Sequence, residues 1–428
     1  MLNIKTTDKN FKKDFDKLLQ RGKMDIENVS KIVSQIIDEI KKDGNSAVKK
    51  HIEKFDKWKV KEDSDLEIST DDMEKAYNLL NKELKNALNL AYNRIKNYHE
   101  KLMPKTWMEE DDTGSFLGQK ITAVDRAGLY IPGGKAAYPS SLLMNAVPAI
   151  VAGVEEIIVC TPAPEDTLNP LLLAAMHLCG IKKAYKIGGA SAIAAMAYGT
   201  STIPKVDVIT GPGNIFVATA KKLVYGEVNI DMIAGPSEIG ILADDRADAK
   251  LLAIDLLSQA EHDEMASPIL ITTDEKIANQ TSKEIEIWLK KLSREKIART
   301  SIVNRGAIIV AKDMNEAIDL MNEIAPEHLE VVCDDAMKFL PKIKHAGAIF
   351  LGSFTPEPIG DYIAGPNHTL PTGGTAKFYS PLSVDNFIKK SSIINMSKKG
   401  IDKIGKECAL LAKAEGLEAH AFSVLERL

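Results

Sequence analysis

Apolar residues early in the chain recur at three- and four-residue intervals, the spacing of one face of a helix. This pattern covers residues 24–102, and its first run ends at Gly44, a residue type that commonly terminates helices. A second run spans residues 47–55, and a third begins after a group of capping residues. We therefore predict a helical N-terminal region whose apolar stripes, with His51 and His99, are packing faces and not sites of chemistry.

Strand and helix patterns alternate from residue 116 onward. A strand-like stretch at 116–130 leads into a tight turn at 131–135, after which short apolar runs alternate with helical ones. The strands are predicted at Glu156 to Cys160, Ala184 to Ile187, Val206 to Thr210 and Val228 to Met232. His177 lies on an apolar helix between two of them, so we expect a core histidine there. This alternation is typical of βαβ units around a parallel sheet.

A second alternation follows the first over a similar length of chain. Its predicted strands are Ile239 to Ala243, Ile269 to Thr272, Ala307 to Val310 and Ala348 to Leu351. Two α/β layers suggest a duplicated architecture, although no sequence repeat accompanies them. Beyond Gly352 the chain becomes irregular and rich in Gly, Pro and Ser, and a final helical segment is predicted at 402–428.

The composition limits the class of protein. With 428 residues, 45% of them apolar, the chain is long enough for roughly three domains with substantial cores. A net charge of -5 without a basic stripe argues against nucleic-acid binding. The N-terminus lacks an apolar signal region, and the longest nearly apolar run, at 146–154, is too short to span a bilayer. Because the four cysteines are widely separated, we expect reduced thiols in a soluble, cytoplasmic protein.

The segment Ser-Gln-Ala-Glu-His at 258–262 contains the first candidate chemistry. It ends a predicted helix, so Gln259 and His262, three residues apart, leave one helical face together. Such a pair alone is usually a cap or a surface pair, and two ligands do not close a metal site. Further imidazoles and carboxylates occur in loops punctuated by Gly and Pro: Glu327, His328, Asp361, His368, Glu415 and His420. A His, a carboxylate and another His added to Gln259 would form a mixed shell suited to zinc.

Several glycine turns follow predicted strands, at 188–190, 211–214 and 235–237. Such turns allow a backbone to approach a ligand, and the following helix N-terminus favours a phosphate. None has the Gly-x-Gly-x-x-Gly spacing, so the signal for a nucleotide is weak and ordinary βα turns are the alternative. The pattern alone therefore indicates an α/β enzyme with a metal site and leaves a nucleotide open.

Longer motifs in a fixed order carry more information than these separate features. The chain contains Gly-Leu-Tyr-Ile-Pro-Gly-Gly (128–134), Thr-Gly-Pro-Gly-Asn (210–214), Ala-Gly-Pro-Ser-Glu (234–238), Ser-Gln-Ala-Glu-His (258–262), Ala-Pro-Glu-His-Leu-Glu (325–330), Gly-Asp-Tyr-Ile-Ala-Gly-Pro-Asn-His-Thr-Leu-Pro-Thr (360–372) and Glu-Gly-Leu-Glu-Ala-His (415–420). Together they resemble the histidinol dehydrogenase family, from about residue 25 to the end of the chain. The resemblance implies oxidation of L-histidinol through L-histidinal to L-histidine with two NAD⁺, the last steps of histidine biosynthesis.

The resemblance also implies an architecture: two incomplete Rossmann-like parallel-sheet α/β domains with a helical N-terminal region and a small C-terminal helical segment. The expected division is an N-terminal helical extension (1–26), a first α/β domain with the zinc and catalytic residues (27–128 plus 239–382), a second α/β domain on the NAD side (129–238) and the C-terminal segment (383–428). A homodimer is implied, in which the C-terminal segment reaches into the partner's site. Neither a nucleic acid nor a membrane is expected as a partner.

The resemblance assigns roles position by position. One zinc ion per subunit is expected at Gln259, His262, Asp361 and His420, and Glu327 and His328 match the catalytic acid/base pair. The positions that match substrate contacts are Ser237, Gln259, His262, His328, Asp361, His368, Glu415 and His420. The positions that match NAD contacts are Tyr130, Ser191 and Asn214. The family has glutamine where this chain has Ser191, so that contact is either lost or taken by water, which bears on NAD affinity and not on the reaction.

The residue types suit this chemistry. An imidazole titrates near neutral pH, so His328 is expected to take the hydroxyl proton as hydride leaves. Glu327 is expected to take a proton from the water that adds to the aldehyde, and zinc to position the substrate. A zinc hydrolase would use the same metal without a nucleotide, and a histidine- or metal-binding module would lack catalysis, against which the Glu327-His328 pair argues. A related amino alcohol is a further alternative, although Glu415 and His368 favour histidinol.

Overall fold

The structure is a computed structural model that describes residues 1–20, 26–133 and 139–428, and only the backbone of residues 26–28. The end of the predicted turn at 131–135 and part of the predicted extension at 1–26 therefore lie outside the described residues. The strands are β1 (Leu2–Lys5), β2 (Trp107–Glu110), β3 (Phe116–Ala123), β4 (Arg126–Tyr130), β5 (Glu156–Thr161), β6 (Lys183–Lys186), β7 (Val208–Thr210), β8 (Asn229–Ile230), β9 (Glu238–Ala243), β10 (Ser267–Thr272), β11 (Ala307–Val310), β12 (His328–Val332), β13 (Ala348–Leu351) and β14 (Ile388–Asn395).

The helices fill the intervals between these strands. They are α1 (Phe11–Leu19), α2 (Ile26–Asp43), α3 (Asn45–Phe55), α4 (Thr70–Leu79), α5 (Lys82–Leu102), α6 (Pro139–Ala152), α7 (Pro170–Leu178), α8 (Gly189–Tyr198), α9 (Ile215–Val224), α10 (Ala249–Ala260), α11 (Glu275–Leu289), α12 (Glu295–Arg305), α13 (Met314–Ile324), α14 (Glu357–Ile359), α15 (Lys398–Ala414) and α16 (Glu418–Leu425). None of the helices in the described part of the chain is both long and apolar enough to cross a membrane.

One parallel sheet has six strands in the order β1-β11-β10-β9-β12-β13. Its residues alternate between two apolar clusters, so that Ile241 contributes to one face and Leu242 to the other. Helices α10, α11 and α12 cover the first face, and α1 and α13 cover the second. The β9–β12 register places His328 beside Ile239, which brings the amino ends of these two central strands together.

A second parallel sheet has five strands in the order β6-β5-β4-β7-β8. From the central strand β4 the chain proceeds outward to β5 and β6, then returns to the other side of β4 for β7 and β8. The carboxyl ends of β4 and β7 therefore flank a topological switch point, the place where open α/β sheets bind ligands. The predicted α/β fold with two parallel sheets is confirmed. Alternating strand and helix patterns produce βαβ units, and the right-handed crossovers of such units place helices on both faces of a parallel sheet.

The helical N-terminal region is confirmed as α2 to α5. Helix α4 begins where capping residues were predicted, and Ser69 Oγ accepts the backbone N–H of Asp72 at 3.1 Å. The apolar stripes of α2 and α3 pack against α8 and α9, and those of α4 and α5 against α7 and α6. These helices thus cover the five-stranded sheet, whereas the expected division groups 27–128 with the zinc-side residues. The domain boundaries themselves stay a prediction.

Two local expectations need correction. Residues 2–5 form an edge strand, paired in parallel with β11, within the part predicted as a helical extension, because Leu2 and Ile4 complete the apolar cover of the sheet. The predicted strand stretch at 116–130 is confirmed as β3 and β4, but β3 belongs to a small antiparallel sheet, β14-β3-β2, that the pattern did not predict. The cap of α15 is tied to the residue before β3, because Ser115 Oγ accepts the N–H of Ser397 at 3.1 Å.

Candidate functional site

A group of buried polar side chains lies at the amino ends of β9 and β12, which we call the metal-side edge (Glu238, Gln259, Glu327, His328, Glu357 and Asp361). His328 is the first residue of β12, so the sequence-based placement of this histidine in a loop is wrong. The whole strand is buried, and backbone pairing with β9 and β13 on both sides holds the start of the strand, and with it His328, in place. Gln259 reaches the same point from the last turn of α10.

The imidazole of His328 connects two of the predicted metal ligands. Gln259 Nε2 lies 3.0 Å from His328 Nδ1, and His328 Nε2 lies 3.2 Å from Asp361 Oδ1. The amide N–H₂ of Gln259 also donates to the carbonyl oxygen of Glu238 at 3.2 Å. With its nitrogen so engaged, Gln259 keeps its side-chain oxygen Oε1 buried and without a hydrogen-bond partner among the described residues. A buried, unpaired amide oxygen is a group that a bound cation would satisfy.

Burial and charge act against each other on His328. Burial alone would lower the pKa of its imidazole, but the carboxylates of Glu327, Asp361 and Glu357 outweigh it and raise the pKa to about 10. Burial likewise opposes ionisation of Asp361, and the hydrogen bond from His328 more than compensates, so the pKa of Asp361 falls below its usual range. The pair is therefore an ionised carboxylate beside a readily protonated imidazole.

Glu327 precedes β12 and is 8% exposed. Its Oε2 accepts the backbone N–H of Glu238 at 2.9 Å, and His328 Nδ1 lies 3.7 Å from the same oxygen. Burial raises the pKa of this carboxyl to about 7, while the charge of His328 acts in the opposite direction. A carboxyl that gains and loses its proton near neutral pH is suited to acid/base work.

His262 and His368 border the same cluster. His262 follows α10 in a turn, with its N–H donating to the Gln259 carbonyl at 3.2 Å, and electrostatic interactions link its ring to Asp361 and His328. His368 Nδ1 lies 3.9 Å from Asp361 Oδ2, and Nε2 of His368 is buried without a partner among the described residues. Ser237 is half-buried just before β9, and its carbonyl oxygen accepts the N–H of Ser267.

Glu357 was missed from the sequence although it lies within this cluster. It is 1% exposed, its Oε1 is 3.8 Å from His328 Nε2, and Ser258 Oγ donates to its Oε2 at 3.1 Å. Among the described histidines, cysteines and acidic residues, ligand atoms of His328, Glu357 and Asp361 all lie within 4.8 Å of one another, and this group shares only Asp361 with the predicted zinc set. The one available sequence signal was helical spacing, since Glu357 precedes Asp361 by four residues.

Glu415 and His420 lie elsewhere in the chain. Glu415 follows α15, His420 is in α16, and both side chains are exposed. The two helices pack against each other, with Gly405 close to Val424 and Leu428. Their other side leaves large apolar side chains exposed: Ile404, Leu410, Leu411, Leu417 and Phe422. Within one chain, therefore, these two predicted residues are not part of the metal-side edge.

The predicted NAD contacts lie along the carboxyl ends of β4, β6 and β7, which we call the cofactor-side edge (Tyr130, Ser191, Gly211 and Asn214). The Tyr130 hydroxyl accepts the N–H of Gly189 at 3.2 Å, and burial raises its pKa to about 12. Asn214 caps α9, its Oδ1 accepting the N–H groups of Phe216 and Val217. The capping leaves the Asn214 side-chain N–H₂ as the donor that the residue can offer a ligand.

Ser191 differs from the other predicted cofactor contacts because its hydroxyl is paired with a buried imidazole. Ser191 is 3% exposed, and its Oγ lies 2.8 Å from Nδ1 of the buried His51. The other ring nitrogen of His51 lies 2.7 Å from Glu39 Oε2. The prediction that His51 packs in the core is confirmed by its burial, and its polar atoms are satisfied by these two neighbours.

Comparisons with known proteins agree on one family. The family model described as histidinol dehydrogenase matches residues 19–428. Histidinol dehydrogenase of Sulfurimonas denitrificans is 67% identical over 427 residues, 99% of each chain. That of Wolinella succinogenes is 62% identical over 418 residues, 98% of this chain and 97% of the relative. The crystal structure of histidinol dehydrogenase from Elizabethkingia anophelis superposes with a TM-score of 0.94 at 38% identity, covering 100% of this chain and 98% of the other.

Proposed function

The chain belongs to the histidinol dehydrogenase family, and from this we propose how its residues divide the oxidation of histidinol. It is an oxidoreductase that acts on histidinol in histidine biosynthesis. We propose a four-electron reaction with two NAD⁺, through histidinal to histidine, at a zinc-containing site. The observation that carries this proposal is the buried contact series Gln259–His328–Asp361, with Glu327 beside it.

The metal-side edge has the properties of a site for a divalent cation. Its acidic groups Glu327, Glu357 and Asp361 are all less than 10% exposed, and buried carboxylates so close together need compensating positive charge. The unpaired oxygen of Gln259 and the carboxylate of Asp361 supply oxygen ligands, and His262 supplies nitrogen. We assign zinc to these three residues and to His420. When bound, zinc would hold the substrate's imidazole and amine and so orient the carbinol carbon toward the nicotinamide.

His328 is the proposed base of the first oxidation. In this step the ring acts in its unprotonated form, which zinc bound beside the carboxylates would favour by offsetting the negative charge that raises the pKa of His328. It takes the proton of the substrate hydroxyl while the carbinol carbon loses hydride to NAD⁺, and Asp361 stabilises the resulting imidazolium through the contact at Nε2. Substrate-binding roles are proposed for Ser237, His368 and Glu415 together with Gln259, His262, His328, Asp361 and His420. Each of these residues belongs to the metal-side edge, borders it in space or in sequence, or belongs to the C-terminal segment discussed below.

Glu327 is the proposed residue for the second oxidation. The aldehyde must add water before a second hydride can leave, and a carboxylate can take the proton of that water. The backbone N–H of Glu238 fixes one oxygen of Glu327, which orients the carboxylate before substrate arrives. Adjacent residues can thus act in successive half-reactions, because Nε2 of His328 faces Asp361, whereas Oε2 of Glu327 is held by the backbone N–H of Glu238.

The C-terminal residues enter this scheme through a second copy of the chain. The exposed apolar side chains on α15 and α16 form a surface of the kind that protein partners cover. We propose a homodimer in which His420 and Glu415 of each chain serve the site of the other. The cofactor-side edge is the proposed NAD site, with Tyr130 and Asn214 as contacts and position 191 beside it. The cytoplasmic location stays a prediction.

A turnover experiment tests the proposed chemistry. Purified protein with zinc, histidinol and NAD⁺ should produce two NADH for each histidinol consumed, since each oxidation transfers one hydride. Chelator-treated protein should lose activity and regain it with zinc, and His262→Ala should lose the metal. Full turnover by protein shown to be metal-free would contradict the zinc assignment.

The alternatives make different predictions in the same assay. A zinc hydrolase would release product without any NADH, and a binding module would bind histidinol or zinc without turnover. Oxidation of a related amino alcohol in preference to histidinol would leave the chemistry intact and change only the substrate.

A further inference from the structure

A buried ion pair lies directly behind the cofactor-side edge. Lys221 on α9 pairs with Asp231, which follows β8, and the two side chains are 3% and 0% exposed. Charges removed from water in this way are costly unless their remaining hydrogen bonds are satisfied. Here two of the hydrogen bonds go to Gly211, the first residue of a short segment that we call the cofactor loop (Gly211, Pro212, Gly213 and Asn214), and one comes from Met232.

Both polar groups of a single glycine in that loop are held by the pair. The N–H of Gly211 donates to Asp231 Oδ2 at 2.9 Å, and Lys221 Nζ donates to the carbonyl oxygen of Gly211 at 2.9 Å. The second carboxylate oxygen, Oδ1, accepts the N–H of Met232 at 2.6 Å. The N–H and the carbonyl of Gly211 belong to the two peptide units on either side of its Cα, so the pair holds both units and leaves the φ and ψ of Gly211 little freedom to change.

The restraint on Gly211 affects the cofactor loop because this residue lies where β7 ends beside β4. Gly211 follows β7 and packs on the end of β4, where an added Cβ would lie 2.0 Å from the carbonyl oxygen of Tyr130, and its φ is +119°. The pair therefore fixes the loop at the switch point between β4 and β7, with Tyr130 on one side and the α9 cap Asn214 on the other.

We propose that Lys221 and Asp231 are positioning residues that hold the cofactor loop in the shape that binds NAD⁺. The inference rests on the proposed use of NAD⁺ at this edge. The ion pair itself makes no contact with substrate in this role. It keeps the Gly211 backbone and the Asn214 amide pre-organised, so that binding need not order the loop.

The test uses a variant that removes the charges without leaving one of them unpaired. Lys221→Met with Asp231→Leu replaces the pair by apolar side chains of similar volume, an exchange that buried ion pairs often tolerate. The matched control is Arg126→Met with Glu156→Leu, which removes an ion pair from the amino ends of β4 and β5 in the same sheet. Melting temperature and zinc content are measured for both.

In the Lys221/Asp231 variant the KM and the Kd for NAD⁺ should rise about tenfold, and the histidinol KM and the kcat at saturating NAD⁺ should stay within about twofold. Amide exchange of Gly211, Gly213 and Asn214 in ligand-free protein should accelerate. The control should show neither change.

Unchanged NAD⁺ affinity and unchanged loop exchange in a folded double variant would overturn the positioning role. If the double variant does not fold, Asp231→Asn, which keeps the shape of the side chain, is put through the same measurements and the same outcomes decide. If the wild-type protein itself neither binds NAD⁺ nor makes NADH, the proposed function fails, and loop exchange in the variants still shows separately whether the pair restrains the loop.

Discussion

The two parallel sheets present their candidate residues at opposite ends of their strands and with different kinds of atoms. The metal-side edge is formed at the amino ends of β9 and β12 by ionisable side chains, with Glu327, His328 and Asp361 all buried. The cofactor-side edge is formed at the carboxyl ends of β4 and β7 by backbone groups and neutral side chains, such as Gly211 and the hydroxyl of Tyr130. The buried ion pair Lys221–Asp231 behind this edge contacts backbone groups.

This difference reflects what each edge has to do. A site that holds a cation and moves protons needs groups whose charge can change, and burial tunes them, as the pKa of about 7 for Glu327 illustrates. A site that admits a dinucleotide needs close approach and fixed donors, which glycine and helix caps provide. If the edges divide the work in this way, changes at the metal-side edge should alter zinc content or chemistry and spare the NAD⁺ KM.

The largest expected effect tests whether one chain contains a complete metal-side edge. Asp361→Ala and His420→Ala should each be inactive alone, but in a mixed dimer one site collects both defects and the other collects neither. Random reassortment makes about half the dimers mixed, so roughly a quarter of wild-type activity should return. The assay is turnover after the two variants are unfolded together and refolded.

A matched mixture provides the control for this experiment. Asp361→Ala mixed with His262→Ala should recover nothing, because both residues serve the site of their own chain. If the Asp361/His420 mixture also recovers no activity although mixed dimers are shown to be present, His420 acts within its own chain or not at all.

The next effect separates the two half-reactions at the metal-side edge. Glu327→Gln should slow oxidation of supplied histidinal about a hundredfold more than that of histidinol, because an amide cannot accept the proton of the added water. Burial raises the pKa of Glu327 to about 7, so the carboxylate form accumulates above that pH. In wild-type protein the histidinal rate should therefore rise with pH through this region.

The Glu327→Gln variant should lose that rise in rate. Glu284→Gln on α11 is the control for a charge change away from the site. Equal losses in both half-reactions would mean that the roles of Glu327 and His328 are assigned wrongly.

For the metal-side edge, the sequence predicted the types of residue better than the secondary structure that positions them. Strand β11 was predicted with its observed bounds because Ala-Ile-Ile-Val is a continuous apolar run. Strand β12 was missed because His328 and Glu330 interrupt the apolar pattern, and only pairing on both sides explains why they are buried in a strand. Tertiary context overrides local pattern at such positions.

The residues missed from the sequence share a physical cause. Glu357 looks like a surface carboxylate between two prolines, and nothing local shows that the chain returns it to His328. Lys221 and Asp231 look like ordinary charges on a helix and after a strand. They lie ten residues apart with a strand between them, and only the fold reveals that they meet and are buried. The motifs of the family, by contrast, predicted roles for His328 and Asp361 from the sequence alone.

A smaller effect concerns Glu357, the unpredicted member of the metal-side edge. Glu357→Gln keeps the side-chain shape and the contact with Ser258, but removes an ionisable carboxyl group 3.8 Å from His328 Nε2. Groups that support metal ligands typically alter metal affinity by 10- to 100-fold, so zinc should bind about tenfold more weakly. Zinc affinity is measured by competition with a chromogenic chelator, and the NAD⁺ KM should not change. Unaltered zinc affinity would exclude Glu357 from the support of the metal.

The smallest effect is expected at the cofactor-side edge, from Ser191→Ala. The hydroxyl of Ser191 lies 2.8 Å from His51 Nδ1, inside the protein, so its removal should leave the NAD⁺ KM within about twofold of wild type. The loss should appear in stability, because a buried ring nitrogen left without its partner costs about 1–3 kcal/mol. Thermal unfolding and NADH production measure the two quantities on the same preparation. His51→Leu, which removes the other partner, should also spare the NAD⁺ KM. A rise of about tenfold in that KM for Ser191→Ala alone would show that the hydroxyl turns toward the cofactor when NAD⁺ binds.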